Sequence, residues 1–156
     1  MHKINIVCVG SLKEKFYKDA QDEYLKRLKK FCQINLIELQ EHKLSQNPSR
    51  QEIEKSLDNE YAQILPFLKG KVIVLAVEGK QESSEDFCKQ MFNFLDNFSI
   101  ITFVIGSSYG LSQRIKKDNY LISFSLMTLP HHLVRIMLEE QIYRAFTIKN
   151  NITYHK

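Results

Sequence analysis

Val72-Ile73-Val74-Leu75-Ala76-Val77 is an unbroken apolar run, preceded by Gly70 and followed by Glu78-Gly79-Lys80. A strand with one wet face alternates apolar and polar residues, whereas a run this short and this solid reads as a strand covered on both faces. Such a strand needs helices above and below its sheet, and the flanking sequence supplies them. Upstream, Ser49 and Glu52 form a capping-box signature for a helix using Ile53, Leu57, Tyr61, Ile64 and Leu68, with Pro66 and Gly70 near its end. Downstream, Glu78-Gly79-Lys80 reads as a turn. Ser83 and Asp86 can cap a helix whose core face is Phe87, Met91, Leu95 and Phe98.

The same alternation extends to both ends of the chain. Ile4 to Val9 reads as a buried strand closed by Gly10, and a helix follows from about Lys13 to Phe31, with Tyr17, Ala20, Tyr24, Leu28 and Phe31 on one face. Ile34 to Leu39 is a second strand, and the polar segment Glu41 to Ser49 is a loop. Ile100 to Ile105 is another central strand, stopped by Gly106-Ser107-Ser108-Tyr109-Gly110. A short basic helix, Gln113 to Lys117, leads to a strand from Leu121 to Leu126. A long helix then runs from Pro130 to about Lys149. Strands alternating with helices in one pass predict an α/β domain: a mainly parallel sheet with helices on both faces. In such sheets ligands bind outside the carboxyl ends of the strands. The ends singled out are the bend from Leu75 to Gly79, the loop Gly106 to Gly110, and Ser125 to Pro130.

The 156 residues, 44% hydrophobic and 26% charged, fit a single domain spanning residues 1–156. No run approaches the roughly 20 apolar residues of a membrane span, and no signal-peptide pattern opens the chain. Cys8, Cys32 and Cys88 are scattered without a CxxC pair, which argues for buried reduced thiols and a cytoplasmic protein rather than a disulfide framework or a zinc site. The net charge is +4, and residues 1–31 alone hold eight Lys/Arg against four Asp/Glu. Lys13, Lys15, Lys18, Lys26, Arg27, Lys29 and Lys30 on the first helix are either a solvated face or a phosphate-facing patch for nucleic acid.

Individual motifs are weaker. Gly106-x-x-x-Gly110 is neither a dinucleotide fingerprint nor a P-loop, and a plain turn explains it equally well. Pro130 suits a helix start, which places His131 and His132 in the first turn as hydrogen-bonded caps or surface residues. On the last helix Arg135 can pair with Glu139 and Glu140 with Arg144, four residues apart, while Val134, Leu138, Ile142 and Ala145 make the buried stripe. The end, Thr153-Tyr154-His155-Lys156, has no core to serve unless it packs back or meets a partner subunit.

The segment Ser123-Phe124-Ser125-Leu126-Met127-Thr128-Leu129-Pro130-His131-His132-Leu133, with Arg135, Glu140 to Ala145 and the terminal Tyr154-His155-Lys156, resembles the bacterial ribosomal RNA pseudouridine N3-methyltransferases of the SPOUT class. Phe103 to Gly106, Gly110-Leu111 and Val9-Gly10 match as well, so the resemblance covers the whole chain. It implies a C-terminal trefoil knot, S-adenosylmethionine as cofactor, N3 of a pseudouridine in 23S rRNA of the large subunit as acceptor, and a homodimer without a metal. It also implies a cofactor pocket at Leu75, Gly106 and Ser125, Leu126, Met127, Thr128, Leu129 and Pro130. Catalytic roles fall to Arg144 supporting the base, Tyr154 positioning it, and His155, from the partner's tail, bonding the nucleotide or accepting its proton. Two positions depart from the family pattern: Ser107 stands where a second glycine is common, and Thr153 where proline often precedes the terminal Tyr-His. Two other readings fit the same features: a knotted methyltransferase acting on tRNA, and a non-catalytic ribosome-associated binding module.

Overall fold

A computed structural model describes all 156 residues. Five strands form one sheet: β1 (Lys3–Val9), β2 (Gln33–Leu39), β3 (Lys71–Gln81), β4 (Ile100–Ile105) and β5 (Tyr120–Ser123). Their order is β2-β1-β4-β3-β5, and every neighbouring pair is parallel. The helices are α1 (Lys15–Leu28), α2 (Arg50–Ile64), α3 (Ser84–Asn97), α4 (Gln113–Lys117) and α5 (His131–Lys149). No helix is long and apolar enough to cross a membrane.

The strand alternation divides two cores. Ile4, Ile6 and Cys8 of β1 and Ile101, Phe103 and Ile105 of β4 point to the side where α1, α3 and α5 contribute Leu28, Met91, Leu138 and Ile142. Val7, Val9, Val74 and Val104 point to the other, against Ile64 of α2 and Ile115 of α4. The expected capping holds: Ser49 Oγ accepts from the Glu52 N–H and Ser83 Oγ from the Asp86 N–H, each at 3.1 Å. Cys8, Cys32 and Cys88 are free and buried, and burial pushes the Cys8 and Cys32 thiols up to about 12.

Four expectations are corrected. Glu78-Gly79-Lys80 is not a turn. The chain continues β3 to Gln81 and re-pairs with β5 after a register shift between Leu75 and Lys80. Gly79 permits this, since a Cβ there would lie 2.5 Å from the Ile122 backbone. At the other end of that crossing, β5 stops at Ser123 rather than Leu126, because Ser123 Oγ donates to the Ser125 carbonyl at 2.8 Å and turns the chain. Leu68 is not part of α2: the helix ends at Ile64, the early stop that Pro66 allows, and Leu65–Phe67 form a 3₁₀ turn around that proline. Finally, Arg135 does not pair with Glu139. Its side chain is 1% exposed and donates to Glu38 Oε2 at 2.7 Å and to the Gly10 carbonyl at 2.9 Å.

Candidate active site

The carboxyl ends of β3, β4 and β5 enclose a cavity of about 610 Å³, within the usual range for a small-molecule site. Its apolar wall includes Leu75, Ile105, Leu111, Ile122, Leu129 and Val134, and residues of the 106–110 and 125–130 loops line much of the rest. Of the expected pocket residues, Leu75, Gly106, Ser125, Met127, Thr128, Leu129 and Pro130 all line it. Leu126 does not, and it is 76% exposed. Ser125 Oγ accepts from the Met127 N–H at 3.0 Å, a tight local turn that carries Leu126 on its outside.

Glycine is needed at Gly106 by the protein itself. A Cβ there would sit 2.1 Å from the Gly110 carbonyl oxygen, so the loop could not fold back on the end of β4. Ser107, in place of the family's second glycine, lines the cavity, and its hydroxyl donates to Glu60 Oε1 at 3.0 Å. Glu60 is 2% exposed, and its other oxygen accepts from the His42 N–H at 3.3 Å. Burial raises its pKa, and these two donors oppose the rise. The extra hydroxyl therefore ties the cavity loop to α2 and to the start of the 41–49 loop.

Four ionisable side chains line the cavity: Glu78, Tyr109, Lys116 and His131. Lys116 Nζ lies 2.8 Å from Glu78 Oε1, and that hydrogen bond is the main cause of a lowered Glu78 pKa. His131 and His132 are neither caps nor plainly surface. Neither caps α5, and each has its Nε2 enclosed without a hydrogen-bond partner. Burial, then neighbouring positive or titratable groups (His132 and Arg135 for His131, Arg135 for His132), lowers both pKa values.

Arg144, Tyr154 and His155 form a second cluster that does not line the cavity. Glu140 Oε1 accepts from Arg144 Nη2 at 2.6 Å, from Arg144 Nε at 3.0 Å and from the Tyr154 hydroxyl at 3.0 Å. The expected Glu140–Arg144 pair is thus present, and it also gathers the tail. Burial, with Glu140 second, pushes the Tyr154 phenol up to about 12, so it stays a donor. His155 is held from both sides, by Arg144 Nη1 at 3.1 Å from Nδ1 and by Glu85 Oε1 at 2.7 Å from Nε2. Glu85, at the start of α3, carries no sequence signal for this contact, because it lies 70 residues from its partner.

A family model described as "Predicted SPOUT methyltransferase" matches residues 2–155. The "Ribosomal RNA large subunit methyltransferase H" of Streptococcus uberis (strain ATCC BAA-854 / 0140J) is 48% identical over 158 residues, covering 99% of each chain. The protein of the same name from Streptococcus pneumoniae (strain CGSP14) is 46% identical over 158 residues, again covering 99% of each. With a model matching nearly end to end and relatives this similar over their full length, the chain belongs to the SPOUT methyltransferase family.

Proposed function

We propose that this protein transfers a methyl group from S-adenosylmethionine to N3 of a pseudouridine in 23S rRNA, and that it does so as a homodimer. The observation that carries the dimer is a separation. Val134 at the cavity and Arg144 in the tail cluster lie on one helix, ten residues apart, which is about 15 Å at 1.5 Å per residue. A cavity and a base-handling cluster this far apart in one chain work together when a second copy brings its tail to the first copy's cavity. The names of the relatives favour large-subunit rRNA over tRNA, and work on ribosomes would place the protein in the cytoplasm. The trefoil knot belongs to the same reading.

The cavity fits the cofactor: a nucleoside-sized, largely apolar space bordered by the 106–110 and 125–130 loops, with the Lys116–Glu78 pair among its lining residues. When bound there, S-adenosylmethionine supplies an electrophilic methyl group on a cationic sulfur. The 125–130 loop and Leu75 hold it, and the apolar wall excludes water from the transfer. Arg144, kept charged by Glu140, steadies the negative charge that develops on the base as N3 gives up its proton. Tyr154 positions the ring, and the exposed lysines of α1 contact phosphate.

Mixed dimers test this reading. A subunit with a blocked cavity (Gly106→Leu) and one with an inactive tail (Arg144→Ala) are each expected to fail alone. Mixed, they are expected to recover about a quarter to a half of wild-type transfer of labelled methyl to ribosomes, because one of the two sites is then intact. No recovery in verified heterodimers contradicts action in trans. Transfer to tRNA but not to ribosomes contradicts the substrate.

A further inference from the structure

One of the two loops that border the cavity is held by a carboxylate outside it. Ser107 follows Gly106 in the 106–110 loop and is buried. Its carbonyl accepts from the Gly110 N–H at 2.9 Å, which closes the loop on itself, and its hydroxyl donates to Glu60 Oε1 at 3.0 Å. Glu60 belongs to α2, is buried, and does not line the cavity. Its Oε2 accepts from the His42 N–H at 3.3 Å, and Ser56, one turn earlier on α2, donates to the His42 carbonyl at 3.4 Å. Beyond the loop, the Ser112 hydroxyl donates to Asp58 Oδ1 at 3.0 Å. The segment from Ser107 to Ser112 is thus pinned to α2 at both ends, by two serines and two carboxylates.

The second loop is fixed differently. Ser123 and Ser125 bond to main chain two residues away, so the start of the 125–130 segment is shaped locally. The 106–110 loop instead relies on Glu60, 47 residues from Ser107. A hydrogen bond to an ionised acceptor is roughly twice as strong as one between neutral groups. A buried carboxylate deprived of a donor keeps its desolvation cost, so the tether is expensive to break. A loop released from it would have to be ordered by the ligand, and that ordering subtracts from affinity.

We infer that Glu60 is a positioning residue of the cofactor site: acting through the Ser107 hydroxyl, it holds the 106–110 loop in its binding shape before S-adenosylmethionine arrives. This deepens the reading proposed above and rests on the cavity being the cofactor site. Glu60 touches no ligand in this role; it sets the cost of ordering the loop that does. A glycine at position 107 has no hydroxyl with which to make the tether, so the dependence on Glu60 through this contact belongs to the serine found in this chain.

The test is calorimetric titration of the RNA-free protein with S-adenosylmethionine, for wild type, Ser107→Ala, Glu60→Ala, Glu60→Gln and the double variant Ser107→Ala/Glu60→Ala. Thermal midpoints of the unliganded proteins separate folding from binding. Ser107→Ala is expected to bind about tenfold more weakly, and Glu60→Ala at least as weakly. The double variant is expected to bind no more weakly than Glu60→Ala alone, because both changes remove the same contact. Glu60→Gln is the conservative rescue: its amide oxygen accepts from the His42 N–H while its amide N–H donates to the Ser107 oxygen. Its affinity is expected to stay within about threefold of wild type. Wild-type affinity in Ser107→Ala, whatever its thermal midpoint, overturns the inference, since the contact then serves stability alone. Additive losses in the double variant overturn it as well, as does a Glu60→Gln protein that binds as weakly as Glu60→Ala. If Glu60→Ala fails to fold, Ser107→Ala decides the inference alone. A wild-type protein that binds no S-adenosylmethionine overturns the cofactor reading itself, a separate outcome.

Discussion

Arg144 and His155 fix each other: Nη1 of the arginine donates to Nδ1 of the histidine at 3.1 Å, and the tail end is thereby tied to the last helix. The anchor beneath them is Glu140, whose one oxygen Oε1 takes both Arg144 donors and the Tyr154 hydroxyl. Replacing it is expected to disorganise all three side chains together. Glu140→Ala should lower the transfer rate at least tenfold while leaving S-adenosylmethionine affinity within about twofold, since it does not line the cavity. Calorimetry and single-turnover rates on the same preparation check this.

Gly106 and Leu126 separate backbone from side-chain requirements in the pocket. Gly106→Ala puts a Cβ 2.1 Å from a carbonyl oxygen of its own loop, so the loop must shift. A cost of about 2 kcal/mol or more and a large loss of cofactor affinity are expected. Leu126→Ala removes an exposed side chain and should change stability by less than about 0.5 kcal/mol. Its cofactor affinity should stay within about twofold, measured by thermal shift with and without S-adenosylmethionine.

Glu139 is 0% exposed, and neither of its oxygens has a hydrogen-bond partner. Burial is the main cause of a pKa pushed up to about 8, with Arg135 opposing it. The folded state therefore holds this proton where the unfolded state releases it. Stability from this group is complete below the unfolded carboxyl pKa and is lost as pH rises toward 8. Glu139→Gln, neutral at every pH, should be stabilising relative to wild type. Its advantage should grow between about pH 4.5 and 8, by roughly 1.4 kcal/mol per pH unit at most, then level off. Urea midpoints at pH 5, 6.5 and 8 that show a constant difference would contradict this.

Much of the fold was legible because the strands carry their own signal. Solid runs such as Ile6 to Val9 and Ile101 to Ile105 are covered on both faces, whereas in the run from Val72 to Val77 only Val72, Ile73 and Val74 are buried and Val77 is 47% exposed; Ser49 and Ser83 sit where caps must be. The three strand ends that enclose the cavity follow from that topology. What escaped the sequence depends on partners distant along the chain. Arg135 reads as a surface residue with Glu139 one turn away, yet its partner is Glu38, 97 residues distant on β2. Glu78 to Lys80 has turn composition, and only the close approach of Gly79 to Ile122 keeps it in β3. His131 and His132 looked like caps because local spacing says nothing about the burial that α1 and the 41–49 loop impose.

The central claim is the atom that is methylated. Ribosomes from a strain lacking this gene, incubated with the purified protein and labelled S-adenosylmethionine, should yield a single new labelled nucleoside on digestion and mass spectrometry. The account predicts 3-methylpseudouridine from the large-subunit RNA. Label in methylated uridine, in another RNA, or in no nucleoside at all would contradict it.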